Sequence, residues 1–113
     1  MIGLGRMGAN IVRRLARHNI SSVVFDLNQK AVAELSGEGS TGASDIADFV
    51  SKLPAPRTVW VMVPAQVTDS TIAEIAELLS PGDTVIDGGN SYYKNDVKNA
   101  ALLQAKEIGR AHV

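Results

Sequence analysis

The stretch Gly3-Leu4-Gly5-Arg6-Met7-Gly8 decides the fold, because its glycines follow the pattern G-x-G-x-x-G. Apolar residues recur at helical spacing in residues 9–19, so the glycines are expected to open a helix. The first glycine allows a tight turn, the second lets phosphates approach the backbone, and the third lets the helix pack closely on a sheet. Any glycine-rich turn can match the pattern, so it needs support from the residues around it.

Asp26 gives that support. It ends the apolar run at residues 22–25, eighteen positions after Gly8. A carboxylate placed there accepts hydrogen bonds from an adenosine ribose and repels a 2′-phosphate. The sequence therefore predicts a dinucleotide site that favours NAD over NADP. The alternative is that Asp26 serves as a turn or cap residue before Asn28.

Strand and helix patterns alternate along the rest of the chain. Runs rich in β-branched residues at 22–25, 58–63 and 84–86 predict strands. Helices are predicted after a cap at Asn28, after a cap at Ser44, and over residues 68–79. This order predicts an α/β fold, a Rossmann-type doubly wound parallel sheet with helices on both faces.

The strand at 58–63 carries an unbroken apolar run, which is typical of a strand buried on both faces. Trp60 is therefore interpreted as a core residue rather than a platform for a ligand.

Two strands are followed by segments of unusual composition. These segments matter because ligands of open parallel sheets bind beyond the carboxyl ends of the strands. Val63-Pro64-Ala65 follows one strand, and Asp87-Gly88-Gly89-Asn90 follows the next. Paired glycines let the backbone approach a flat ring, and the Asn90 amide offers both a donor and an acceptor. The residues alone support equally a Gly-Gly turn in which Asn90 or Ser91 caps the following helix.

Composition limits the remaining function classes. The 113 residues suffice for one domain, and a net charge of -1 predicts neither a nucleic-acid partner nor an anionic membrane partner. Without cysteine there is no thiol nucleophile or thiolate metal ligand, and no metal site is predicted. No apolar run is long enough to cross a bilayer and no leader is recognisable, so a cytoplasmic protein is expected.

Both ends of the domain are expected to be truncated. Only two residues precede Gly3, whereas a strand needs about five, so most of a first strand is expected to be missing. The alternative is a chain that starts in a loop. Residues 107–113 match one reading frame of a common sequencing adaptor in register and are expected to be a non-native tail. The alternative there is a genuine helix end followed by another strand. Residues 1–106 are accordingly assigned to a partial dinucleotide-binding domain.

Three segments carry a resemblance to a known family: GLGRMGANIVRRL at 3–15, VWVMVPA at 59–65 and DGGNSYYKND at 87–96. Together they resemble the cofactor domain of the shorter, decarboxylating 6-phosphogluconate dehydrogenases, within the β-hydroxyacid dehydrogenase superfamily. The first segment is shared across that superfamily, and the DGGNSYY motif is more specific to the phosphogluconate branch.

The resemblance implies oxidative decarboxylation of 6-phosphogluconate to ribulose 5-phosphate, a reaction of gluconate utilisation and the pentose phosphate pathway. It implies that Asp26 binds the ribose, that Val63, Pro64 and Ala65 lie beside the nicotinamide, and that Asn90 contacts both cofactor and substrate. The loop residues implied to bind the cofactor, mainly at its pyrophosphate, are Gly3, Leu4, Gly5, Arg6, Met7 and Gly8.

The family's lysine base and glutamate acid come later in the chain, so the resemblance implies no catalytic residue here and an inactive fragment of a homo-oligomeric enzyme. Asp26-Leu27-Asn28 stands where the longer NADP enzymes carry Asn-Arg-Thr. NAD is therefore the expected cofactor, with NADP as the alternative.

Two other functions stay open at this stage. One is a different β-hydroxyacid dehydrogenase, such as one acting on 3-hydroxyisobutyrate. The other is a non-catalytic module that senses nucleotides and regulates a partner.

Overall fold

The computed structural model describes residues 1–88 and 101–112. The helices are α1 (Arg6–Arg17), α2 (Gln29–Gly37), α3 (Ile46–Ser51) and α4 (Ala65–Leu78), and residues 101–105 are also helical. The strands are β1 (Val23–Val24), β2 (Thr41–Gly42), β3 (Thr58–Val61), β4 (Thr84–Asp87) and β5 (Gly109–His112). The predicted alternation of helices and strands is confirmed.

All strand pairs are parallel, and Ile2 joins them into one continuous arrangement. β1 pairs with β2, and β4 lies between β3 and β5. Ile2 bridges Phe25 on one side and Val61 on the other, so residues 1–2 occupy the position of a central strand. The resulting order, β2-β1-Ile2-β3-β4-β5, is that of a dinucleotide-binding sheet, which confirms the predicted Rossmann-type fold.

Apolar side chains cover both faces of the sheet. Val59 and Val61 are fully buried in a core shared with α3 and α4. Trp60 and Met62 point to the opposite face, where they pack half-buried against the core that involves α1 and α2. The prediction of a strand covered on two faces is confirmed, and Trp60 packs against the core as expected.

The starts of α1 and α2 agree with the sequence, and those of α3 and α4 differ. The Asn28 side chain accepts a hydrogen bond from the Lys30 N–H at 3.1 Å, as predicted for the cap of α2. The prediction that Ser44 caps α3 is wrong by one residue. Asp45 is the cap and accepts from the Asp48 N–H at 2.7 Å, while the Asp48 carboxylate accepts from the Ser44 N–H at 2.9 Å.

α4 begins at Ala65, three residues before the predicted start, and Pro64 occupies its cap position. β2 was not predicted at all. Its two residues, Thr41 and Gly42, carry no apolar pattern, and the backbone pairing with β1 alone makes them a strand.

A buried carboxylate ties together the amino ends of β3 and β4, at the edge of the sheet away from their carboxyl ends. Asp83 is 1% exposed and accepts hydrogen bonds from the Arg57 N–H at 2.7 Å, the Ser80 N–H at 2.8 Å and the Arg57 guanidinium at 3.2 Å. Burial alone would raise the pKa of Asp83, but these hydrogen bonds and the nearby positive charge outweigh it and lower the pKa. The carboxylate therefore stays charged and fixes the two strands to each other.

The segment interpreted as a foreign tail contributes a strand. Gly109–His112 form β5, in which Gly109 lies opposite Thr84 and His112 opposite Asp87. The Gly109 N–H also donates to the Asp83 carbonyl at 2.8 Å. These residues form the edge of the described sheet, and the non-native origin of residues 107–113 stays a prediction.

Within residues 1–88 and 101–112, no helix combines the length and apolarity that a membrane crossing requires.

Candidate functional site

A cleft of about 830 Å³ lies at the carboxyl ends of the strands, where ligands of parallel sheets bind. It brings together residues from the glycine loop, from the ends of three strands and from α4. Among the residues predicted from sequence, those that line the cleft are Gly3, Gly5, Met7, Asp26, Val63 and Pro64. Gly88 also lines it from the end of β4.

The first and third glycines of the loop are required by close packing. Gly3 has a φ of +98°, and a Cβ added there would come within 2.5 Å of the Met62 carbonyl oxygen. A Cβ on Gly8 would collide with the Gly3 carbonyl oxygen. These two positions hold the loop against β3 and against the start of α1.

Gly5 differs, because a Cβ added to it would meet no atom within 4 Å. It is the cap residue of α1, with φ -63° and ψ -177°, and no side chain caps this helix. The first turn also carries no acidic residue. Open space beside an uncapped helix start fits a phosphate group, since the first N–H groups of a helix need acceptors and attract negative charge.

Asp26 is half-buried and connects the end of β1 to the glycine loop. One carboxylate oxygen accepts from the Leu4 N–H at 2.6 Å, and the other accepts from the Asn28 N–H at 2.8 Å. Each carboxylate oxygen can accept two hydrogen bonds, so both retain capacity toward the cleft. The same carboxylate thus orders the turn and lines the cleft. The two interpretations of Asp26 from the sequence, a ribose acceptor and a turn residue before Asn28, are therefore compatible.

The remaining loop residues have different positions. Leu4 is buried, and its N–H is used by Asp26, so it holds the loop in place. Arg6 is exposed and lines a separate shallow cleft along α1 that also includes Arg14. Met7 is 65% exposed and lines both clefts.

The ends of β3 and β4 meet at the other side of the loop. Val63 and Pro64 line the cleft, while Ala65 starts α4. A Cβ on Gly88 would collide with the Met62 sulfur and would lie 2.7 Å from the Trp60 indole nitrogen. Gly88 is therefore required by packing behind the cleft wall. Asn90, the predicted contact to both cofactor and substrate, lies outside the described residues.

Sequence reasoning missed one wall of the cleft. Val67, Ser70, Thr71 and Glu74 line it from α4, and Ile46 lines it from the first turn of α3. The available signal was the spacing of residues 67, 70, 71 and 74, which places them on one face of a helix that follows a ligand-facing strand end.

A parallel sheet in this order, with an open glycine loop and an acidic residue at the neighbouring strand end, defines a dinucleotide-binding domain. A family model described as the NAD binding domain of 6-phosphogluconate dehydrogenase matches residues 1–111. The chain belongs to this family of NAD-binding domains.

Curated relatives agree with this membership. An NAD(+)-dependent, decarboxylating 6-phosphogluconate dehydrogenase of Haloferax volcanii is 38% identical over 93% of this chain and 36% of its own length. A decarboxylating 6-phosphogluconate dehydrogenase of Treponema pallidum is 39% identical over 95% of this chain and 23% of its own length. The chain thus spans about a quarter to a third of the length of these relatives.

Solved structures share the fold. The 6-phosphogluconate dehydrogenase of Plasmodium falciparum superposes with a TM-score of 0.86 at 24% identity, over 96% of this chain and 25% of that protein. The 3-hydroxyisobutyrate dehydrogenase of Mycobacterium tuberculosis superposes with a TM-score of 0.87 at 18% identity, over 98% of this chain and 38% of that protein. At these identities the matches establish the architecture alone.

Proposed function

We propose that this chain binds NAD for a decarboxylating 6-phosphogluconate dehydrogenase. The observation that carries the proposal is the cleft itself, in which the uncapped start of α1 and the Asp26 carboxylate lie side by side. The DGGNSYY motif favours the phosphogluconate branch over other β-hydroxyacid dehydrogenases. Both curated relatives described above carry that enzyme name.

The first turn of α1 is proposed to bind the pyrophosphate. Gly5 leaves room for the phosphates to approach the backbone, and the N–H groups of Arg6, Met7 and Gly8 are the orphan donors at a helix start. Gly3 and Leu4 are proposed to act by holding the loop, because their own geometry is fixed by Met62 and Asp26.

Asp26 is proposed to accept hydrogen bonds from the adenosine ribose. Its two backbone partners fix the carboxylate in place before any ligand arrives, so little ordering entropy is lost on binding. A negative charge at this position disfavours a 2′-phosphate, which makes NAD the proposed cofactor and NADP the weaker ligand.

Val63, Pro64 and Ala65 are proposed to lie beside the nicotinamide, and Asn90 to contact both this ring and the substrate. When bound, the nicotinamide supplies the hydride acceptor for oxidation of the substrate hydroxyl. The described residues bind and orient the dinucleotide. The groups that move protons during decarboxylation are proposed to belong to the rest of the enzyme, so the 113-residue chain alone is expected to be inactive. The whole enzyme is proposed to be a cytoplasmic homo-oligomer that converts 6-phosphogluconate to ribulose 5-phosphate.

Activity of the full gene product tests the substrate assignment. The protein is assayed with NAD and with NADP against 6-phosphogluconate and against 3-hydroxyisobutyrate, by absorbance of the reduced nicotinamide. Oxidation of 6-phosphogluconate with release of CO2 supports the proposal. Oxidation of 3-hydroxyisobutyrate alone would establish the other hydroxyacid dehydrogenase, and binding of NAD without oxidation of either acid would favour a nucleotide-sensing module.

A further inference from the structure

We propose that Glu74 is a second determinant of cofactor choice, acting together with Asp26 to disfavour NADP. The inference rests on the proposed function, since it concerns the same cleft. It assigns a specificity role to a residue on α4 that no sequence motif indicates.

Glu74 shares a helix face with other residues that line the cleft. Val67, Thr71 and Glu74 are spaced at i, i+4 and i+7, so they lie along one side of α4. Glu77 lies on the same helix and is exposed as Glu74 is, but it does not line the cleft. The two glutamates therefore differ mainly in their position relative to the site.

The wall that contains Glu74 lies toward the adenosine side of the cleft. Ile46, at the start of α3, lines the same wall, and α3 packs against α4. α3 follows β2, which is the outer neighbour of β1, and Asp26 follows the end of β1. The α3–α4 wall is thus on the side of Asp26, whereas Pro64 and Gly88 lie on the side of β3 and β4.

The charged side chains that line the described part of the cleft are acidic. Its lining residues within the described part of the chain include two carboxylates, Asp26 and Glu74, and no Lys, Arg or His. NADP carries a 2′-phosphate of about two negative charges where NAD has a hydroxyl group. The rest of the two dinucleotides is the same, so the carboxylates act on the difference between them.

The expected size of the effect follows from Coulomb's law. At a separation of roughly 10 Å in water, one unit charge acting on a doubly charged phosphate changes a dissociation constant about fourfold. Salt screens charges at this distance, because the Debye length is about 10 Å at 0.1 M and about 3 Å at 1 M.

The test compares Glu74→Gln with Glu77→Gln in the 113-residue chain. Both variants remove one negative charge from an exposed position of α4, so net charge is matched. Dissociation constants for NAD and NADP are measured by calorimetry at low salt and again at about 1 M salt. For Glu74→Gln, the ratio of NADP affinity to NAD affinity is expected to rise about fourfold at low salt, and this gain is expected to disappear at high salt. Glu77 does not line the cleft, so for Glu77→Gln the ratio of the two affinities is expected to rise less than for Glu74→Gln.

A Glu74→Lys variant extends the test, because reversal of the charge is expected to change the NADP affinity by about the square of the Glu74→Gln effect. Equal ratios in Glu74→Gln and Glu77→Gln would overturn the inference while leaving the proposed function intact. A folded wild-type chain that binds neither dinucleotide would overturn the proposed function, and the inference with it.

Discussion

Replacement of Gly5 by Ala separates binding from folding, because this glycine is the one in the G-x-G-x-x-G loop whose Cβ position is open. The added methyl group meets no protein atom within 4 Å, and the backbone angles of φ -63° and ψ -177° suit an alanine. Removal of glycine's backbone freedom stabilises a compatible site by about 0.4–1 kcal/mol, while alanine is a poorer cap residue than glycine. The free energy of unfolding is therefore expected to stay within about 1 kcal/mol of wild type.

Binding is expected to respond much more strongly. The methyl group would occupy the space through which the phosphates reach the first N–H groups of α1. Hydrogen bonds to a charged group contribute about 1.5–3 kcal/mol each, so the loss of one such bond weakens binding by roughly 10- to 150-fold. NAD affinity of Gly5→Ala, measured by calorimetry, is thus expected to fall by at least about tenfold.

Gly37 provides the matched control for this experiment. It ends α2 on the surface, and a Cβ there also meets no atom within 4 Å. Gly37→Ala is expected to bind NAD as wild type does. Unchanged NAD affinity in Gly5→Ala, with thermal unfolding confirming a folded protein, would refute the assignment of this loop to the pyrophosphate.

Two further predictions concern fixed charges. Asp26→Ala removes the proposed ribose acceptor and the acceptor of the Leu4 N–H, so NAD binding should weaken by about 1–3 kcal/mol and NADP should be discriminated against less. Calorimetry with both dinucleotides measures this effect, and an unchanged NAD affinity would exclude the ribose role. Asp83→Ala leaves three part-buried donors without their acceptor, so chemical denaturation should show a loss of about 2–4 kcal/mol of stability. A loss below about 0.5 kcal/mol would contradict the structural role of this carboxylate.

The sequence predicted the parts of the candidate site that follow a fixed spacing of residue types. Gly3 and Gly8 are needed where loop, strand and helix approach closely, and Asp26 stands at the end of the next strand. The spacing is visible in the sequence although some of the contacts behind it, such as that of Gly3 with Met62, join distant parts of the chain. The parallel pairing of the strands could be predicted from their alternation with helices, because a parallel pair needs a crossover connection.

Features that depend on tertiary contacts could not be predicted in the same way. β2 forms through backbone pairing to β1, and its residues show no strand pattern. Ser44 and Asp45 are adjacent residues that could each cap α3, and in the folded chain Asp45 accepts from the Asp48 N–H while the Ser44 N–H donates to the Asp48 carboxylate. The position of Glu74 in the cleft depends on how α4 is rotated against α3, which the spacing of apolar residues fixes only approximately.

Titration of the 113-residue chain with NADH by calorimetry tests the central claim most directly. A single saturable binding site is predicted, with the affinity retained in Gly37→Ala and weakened at least about tenfold in Gly5→Ala. Circular dichroism of the same samples establishes that each protein is folded. A folded wild-type chain that shows no saturable binding of NADH or NADPH would contradict the claim that this cleft is a dinucleotide site.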